Sequence, residues 1–183
     1  MPARALIILH PGFEDIEAVS PIDLLTRAEV EVVAVALDDR LRVPSRSGLT
    51  VLATHALTEL MDEPFDAVIL PGGPGIMQIR RHPLICELLR VQFAAGRLIA
   101  CICAAPLLLL DAGLHTDLRY TCHPSVSNEL DAALDAPVVR DGMIITARGA
   151  GTAIPFALEL VGQLSDHSTA VAIAKSICWP DQL

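Results

Sequence analysis

Three short stretches of this chain are apolar at every position: Leu6–Leu9, Ala67–Leu70 and Leu98–Ile102. A strand with one wet face alternates apolar and polar residues, so a strand with no polar position must be covered on both faces. Each of these runs gives way to turn residues and then to a longer segment. Doubly buried strands alternating with helices predict an α/β fold. Its core is a mostly parallel, doubly wound sheet with helices on both sides.

The remaining elements follow from local signals. Helices are expected over Glu14–Ala28, Pro83–Ala95, Ala104–Ala112, Thr152–Leu164 and Ser168–Ile177, with Gly96 and Gly113 ending the second and third. Glu31–Leu37 reads as a strand, "DDRLRVPSRSGLTV" as a turn-rich hairpin, and "VVRDGMIIT" as a hairpin turning at Asp141-Gly142. The 183 residues suffice for one core, and no linker, repeat or low-complexity segment divides them, so a single domain over 1–183 is expected.

Composition narrows the partners. Aromatic residues are only 3% of the chain, too few to build base-stacking platforms, and the formal net charge of −9 repels phosphate backbones. Nucleic acid is therefore not an expected partner, and a small molecule or another protein is. No apolar run approaches the ~20 residues of a membrane helix, and "MPARALIILHPGFED" does not read as a secretory signal. A cytoplasmic protein without a membrane partner is expected. The five cysteines are odd in number and, apart from a C-x-C at Cys101 and Cys103, lack metal-ligand spacing, so neither a disulfide framework nor a metal site is expected.

In doubly wound sheets ligands bind at the carboxyl ends of the strands, which selects the loops "HPGFEDIE", "PGGPG" and "CICAAP". Cys103 lies between strand Leu98–Ile102 and the following helix, a strand–turn–helix nucleophile elbow. A helix N-terminus there favours the thiolate, the nucleophilic form. The alternative is a small buried hydrophobe, the role read for Cys101. Gly72, Gly73 and Ala104 offer backbone amides for an oxyanion hole, although glycine pairs also make ordinary turns. Glu17 falls on an apolar flank of the first helix. Desolvated there, it holds a proton beside the sulfur; as a surface acid it would do nothing. Glu14 and Asp15 read as charges complementing the helix start. His123 either orients the cysteine, acts as base, or is structural; the other histidines show no pattern.

Five stretches together, "GFEDIEAVSPIDLLTRA", "VILPGGPG", "IACICAAP", "TCHPSV" and "ITARGAGTAIPFALELV", resemble the ThiJ/PfpI superfamily. The likeness is nearer to its parkinsonism-associated deglycase branch and the YajL-like members. It implies a flavodoxin-like three-layer sandwich and a homodimer with its site near the interface. It also implies that Cys103 is the nucleophile, Glu17 a protonated glutamate contacting that sulfur, and Gly72, Gly73 and Ala104 the oxyanion-binding backbone. His123 matches a histidine near the cysteine in some members, and Arg46 and Arg27 match arginines near the dimeric pocket. Arg148 and Gly149 match a motif read as packing a helix start against the sheet. Ala104 departs from the histidine of peptidase-like members and the threonine of isocyanide-hydratase-like ones; Glu29 stands where relatives often have glycine.

The activity this implies is a cofactor-independent glyoxalase or deglycase acting on methylglyoxal-type dicarbonyls or early glycation adducts, glycated protein included, in defence against carbonyl and oxidative stress. The same sulfur would also serve a redox sensor or redox-regulated chaperone. A related cysteine hydrolase or amidase is the third reading.

Overall fold

A computed structural model describes residues 2–180; Met1 and residues 181–183, which the expected domain includes, lie outside the described residues. The strands are β1 (Arg4–Leu9), β2 (Glu31–Ala36), β3 (Arg42–Pro44), β4 (Thr50–Leu52), β5 (His55–Ala56), β6 (Ala67–Leu70), β7 (Leu98–Ile102), β8 (Val138–Asp141) and β9 (Ile144–Ala147). The helices are α1 (Asp15–Arg27), α2 (Pro83–Ala94), α3 (Pro106–Ala112), α4 (Ala153–Leu164) and α5 (His167–Ser176). Seven strands form one sheet in the order β5-β2-β1-β6-β7-β9-β8. All neighbours are parallel except β8, which runs antiparallel to β9 as the Asp141-Gly142 hairpin requires. This is a flavodoxin-like α/β fold.

The unbroken apolar strands have the two-sided burial inferred for them. Leu6 and Ile8 of β1 and Ile99 and Cys101 of β7 pack in one core with residues of α2 and α3. Their alternates Ala5, Ile7, Leu9, Leu98, Ala100 and Ile102 pack in a second core with α1, α4 and α5. Successive side chains point to opposite faces, so each run must be apolar throughout. Cys101 is fully buried and burial pushes its thiol up, consistent with the packing role read for it. Among the described residues no helix is long and apolar enough to cross a membrane.

The predicted hairpin before Val51 is the separate two-stranded ladder β3–β4. It folds over the start of α1 rather than joining the main sheet, held by Gly12 N–H to Pro44 O at 2.8 Å and Arg46 N–H to Phe13 O at 2.9 Å. The two-residue strand β5 at the sheet edge was not legible in the sequence. Glu29, just past the end of α1, has φ of 59°. A side chain in the left-handed region costs about 1–2 kcal/mol that glycine avoids. Glu29→Gly is therefore expected to stabilise the fold by about 1 kcal/mol, read as a higher urea midpoint with unchanged slope.

Candidate active site

β1, β6 and β7 are neighbours in the sheet, so the loops leaving their carboxyl ends meet. β7 ends at Ile102, and Cys103 follows with φ of 67°, the strained turn of a nucleophile elbow. Its backbone is fixed on both sides: Cys103 N–H donates to Ala147 O, and Cys103 O accepts from His123 N–H, each at 2.9 Å. The side chain is half-buried and lines a cleft of about 580 Å³ with Glu14, Glu17, Arg46, Gly73, Ala104 and His123 among its walls.

Glu17 is wholly buried, which removes the surface-acid reading. Its Oε2 accepts from Gly72 N–H at 2.8 Å. Its Oε1 is buried without a partner of standard hydrogen-bond geometry among the described residues, while the carboxyl lies close enough to Cys103 for each to shift the other's ionisation. Burial raises the Glu17 carboxyl to about 7, against the pull of the Gly72 amide. A carboxyl near 7 can both hold and release a proton at neutral pH.

Opposing effects act on the Cys103 thiol. Burial pushes the Cys103 thiol up to about 12, and a charged Glu17 adds to the rise; the Gly73 and Ala104 amides pull it down only partly. The helix, α3, is seven residues long and starts three residues beyond the sulfur, so its field is weak there. The buried carboxyl and the half-buried thiol therefore titrate as a coupled pair.

The oxyanion hole also differs from the expected trio. Gly73 and Ala104 direct their amides at the sulfur, but Gly72 spends its N–H on Glu17. Gly72 must still be glycine: a Cβ there would lie 2.7 Å from both Cys103 Cβ and Ile102 O. Gly73, at φ of 101°, would place a Cβ 2.5 Å from Gly12 O.

His123 is exposed at the cleft. Its Nδ1 accepts from Ser125 N–H at 3.2 Å, which leaves the ring proton on Nε2. The neutral ring thus offers a donor through Nε2, and only Nδ1, already engaged, could serve as base. Gly149 packs against this ring: a Cβ there would come within 3.2 Å of Cδ2. Arg148 pairs with Asp135 and donates its N–H to Pro137 O at 3.0 Å, fixing the approach to α4.

Arg46 reaches the cleft, its Nη1 2.8 Å from Glu14 Oε2, and Ser47 Oγ donates to Asp15 at 2.8 Å. Glu14 and Asp15 therefore anchor the β3–β4 hairpin rather than simply complementing the helix start. Arg27 does not reach the cleft within one chain. It lies ten residues beyond Glu17 on α1, roughly 15 Å along the axis, and pairs with Asp23 at 3.1 Å. Sequence reasoning missed His10, which is wholly buried between the first two site loops. Its position directly after β1 was the available signal. Among the described residues no cluster of His, Cys, Asp or Glu could hold a metal ion.

This arrangement can be compared with known proteins. Residues 3–163 match the description "DJ-1/PfpI family". Protein dj-1beta of Drosophila melanogaster is 35% identical over 182 residues, covering 97% of each chain. The "glutathione-independent glyoxalase DJR-1.2" of Caenorhabditis elegans is 35% identical over 179 residues, covering 95% of each chain. The crystal structure of Drosophila DJ-1beta superposes with a TM-score of 0.93 over 97% of this chain and 98% of that one, at 35% identity. "Toxoplasma gondii DJ-1, oxidized" gives 0.93 at 31% identity, over 98% of this chain and 100% of that one.

Proposed function

Because the chain belongs to the DJ-1/PfpI family, we propose that it is a cofactor-independent glyoxalase and deglycase, with Cys103 as nucleophile and methylglyoxal-type 2-oxoaldehydes or their early adducts as substrates. One relative bears a glyoxalase name. The observation that carries the reading is the burial of Glu17, titrating near 7, against a thiol at the wall of an open cleft.

The proposed chemistry uses general-base activation rather than a standing thiolate. The Glu17 carboxylate takes the thiol proton as Sγ bonds to the aldehyde carbon. The carbonyl electrons move to oxygen, where the Gly73 and Ala104 amides hold the developing charge. Glu17 returns the proton to that oxygen, giving a neutral hemithioacetal. The carboxylate then removes the hydrogen of the former aldehyde carbon as a proton; the bond electrons form a carbon–carbon double bond and the ketone π electrons move to its oxygen, giving an enediolate. The carbon-bound proton is delivered to the adjacent carbon, and the hydroxyl proton passes to the former ketone oxygen. The result is a lactoyl thioester on Cys103. One carbon is oxidised and its neighbour reduced, so no external redox partner is needed. Water hydrolyses the thioester and releases lactate and thiol. For a glycated amine or thiol, Sγ displaces the adducted group from that carbon, and the group leaves with the proton that Glu17 took from the thiol, giving the same hemithioacetal.

The test is a panel: methylglyoxal, glyoxal, glycated amino acids and activated acyl substrates, with product identified by NMR. Lactate from methylglyoxal is the expected result. Turnover of acyl substrates alone would point to a hydrolase instead. The redox-sensor reading draws on the same groups, since Glu17 and the two amides suit a sulfinate on Cys103. Clean peroxide oxidation of Cys103 without turnover of any substrate would select it.

We also propose a homodimer. Ile16 and Val19 on α1, and Leu49 and Leu52 on the hairpin tied to it, are each more than half exposed. Pairing with a second copy would cover them. Light scattering behind size exclusion is expected to give twice the 19.5 kDa chain mass. A monomer at micromolar concentration would refute this.

A further inference from the structure

His10 takes no part in the steps above, yet it is a wholly buried polar side chain immediately after β1. Its Nε2 lies 3.2 Å from Pro71 O and its Nδ1 3.3 Å from Pro11 O. Both partners are acceptors, and a neutral imidazole carries one N–H, so only one contact can hold a hydrogen. Burial keeps the ring neutral by pushing its pKa down. The Pro71 contact is fully enclosed, whereas the Pro11 contact is partly open, where water can serve the carbonyl instead. The ring proton therefore belongs on Nε2.

The Pro71 carbonyl and the Gly72 N–H are two ends of one peptide group. That carbonyl faces His10; that N–H donates to Glu17 Oε2 at 2.8 Å. A peptide that accepts at its oxygen is a stronger donor at its nitrogen. The same loop is built against the ring: a Cβ on Gly75 would lie 2.6 Å from Nδ1. We propose that His10 is a positioning residue acting on Glu17 through the Pro71–Gly72 peptide, pinning that peptide and strengthening its hydrogen bond to the carboxylate. The inference rests on the proposed reading of Glu17 as the group that carries the proton beside Cys103. The other charged groups around the pair, Glu14 and Arg46, come from the start of α1 and from the hairpin and do not touch the ring's two contacts.

Two measurements test it. In the wild-type protein, nitrogen NMR of the imidazole is expected to show the Nε2–H tautomer; the Nδ1–H tautomer would overturn the proposal. The second is the pH titration of the Glu17 carboxyl itself, read by carbon NMR of the labelled side chain in wild type, His10→Phe and His10→Gln, with Glu17→Gln assigning the resonance. Losing the donor weakens the Gly72 bond, so Glu17 keeps its proton to higher pH. The carboxyl midpoint in His10→Phe is expected to rise by about 0.3 pH unit, and His10→Gln, with an amide donor, to restore it. An unmoved midpoint in His10→Phe, or a shift that glutamine does not rescue, overturns the role of His10. A wild-type carboxyl that titrates in the ordinary carboxylate range overturns instead the reading of Glu17 on which the inference rests. Should His10→Phe fail to fold, the wild-type tautomer decides.

Discussion

Cys103→Ser is expected to lower the conversion of methylglyoxal to lactate by at least ~10³-fold while leaving the fold intact. The substitution changes one atom at a half-buried position whose backbone bonds to Ala147 and His123 do not involve the side chain. A hydroxyl is far less acidic than even this raised thiol, so a carboxyl near 7 has too little driving force to activate it. The loss should fall on kcat, because the cleft walls that bind substrate are unchanged. Cys101→Ala is the matched control: that sulfur lies in the core shared with α2 and α3, away from the cleft, and turnover should persist. Retention of more than a tenth of wild-type kcat by Cys103→Ser, measured by lactate formation, would remove Cys103 as nucleophile.

The sheet was legible because two-sided burial leaves no freedom: a strand such as Leu98–Ile102 must be apolar at all five positions. The elbow was legible for a related reason, since a strand running straight into Pro106 leaves only a tight turn between them. The direction of an amide is a different kind of fact. Whether Gly72 N–H faces the sulfur or the carboxyl depends on loop torsions that the string "PGGPG" does not encode. The environment of Cys103 was only half legible: a helix start is visible in sequence, whereas the burial that opposes it arises from both cores meeting at one residue. Arg27 lies roughly 15 Å along α1 from Glu17 in one chain, so its match to arginines near a dimeric pocket concerns a second copy. His10 was passed over because its carbonyl partner, Pro71, is 61 residues away, and no local pattern announces such a contact.

Glu17→Gln is expected to cost activity and add stability, each strongly dependent on pH. The Glu17 carboxyl titrates near 4.5 as an unperturbed group and near 7 when folded, because burial disfavours its charge. The folded state therefore holds this proton more tightly than the unfolded chain. The stability it contributes is whole below about pH 4.5 and is lost as pH rises through about 7, a loss on the order of 3 kcal/mol by pH 8. Glutamine never charges and escapes that loss, while its carbonyl can still accept from Gly72 N–H. Urea unfolding should thus find wild type and variant similar near pH 4.5. Above pH 7 the variant should be the more stable by up to roughly 3 kcal/mol. Over the same range wild-type kcat/KM should rise as the carboxylate forms, and Glu17→Gln should lack that limb and fall by about 10²–10⁴-fold at pH 8. The two readouts fail separately. A variant less stable than wild type at pH 8 would mean the buried carboxylate is compensated by groups not recognised around it. A variant that keeps the rising limb would mean the activating base is another residue. If both hold, the fold carries a destabilising charge at the one place where the proposed reaction needs a base.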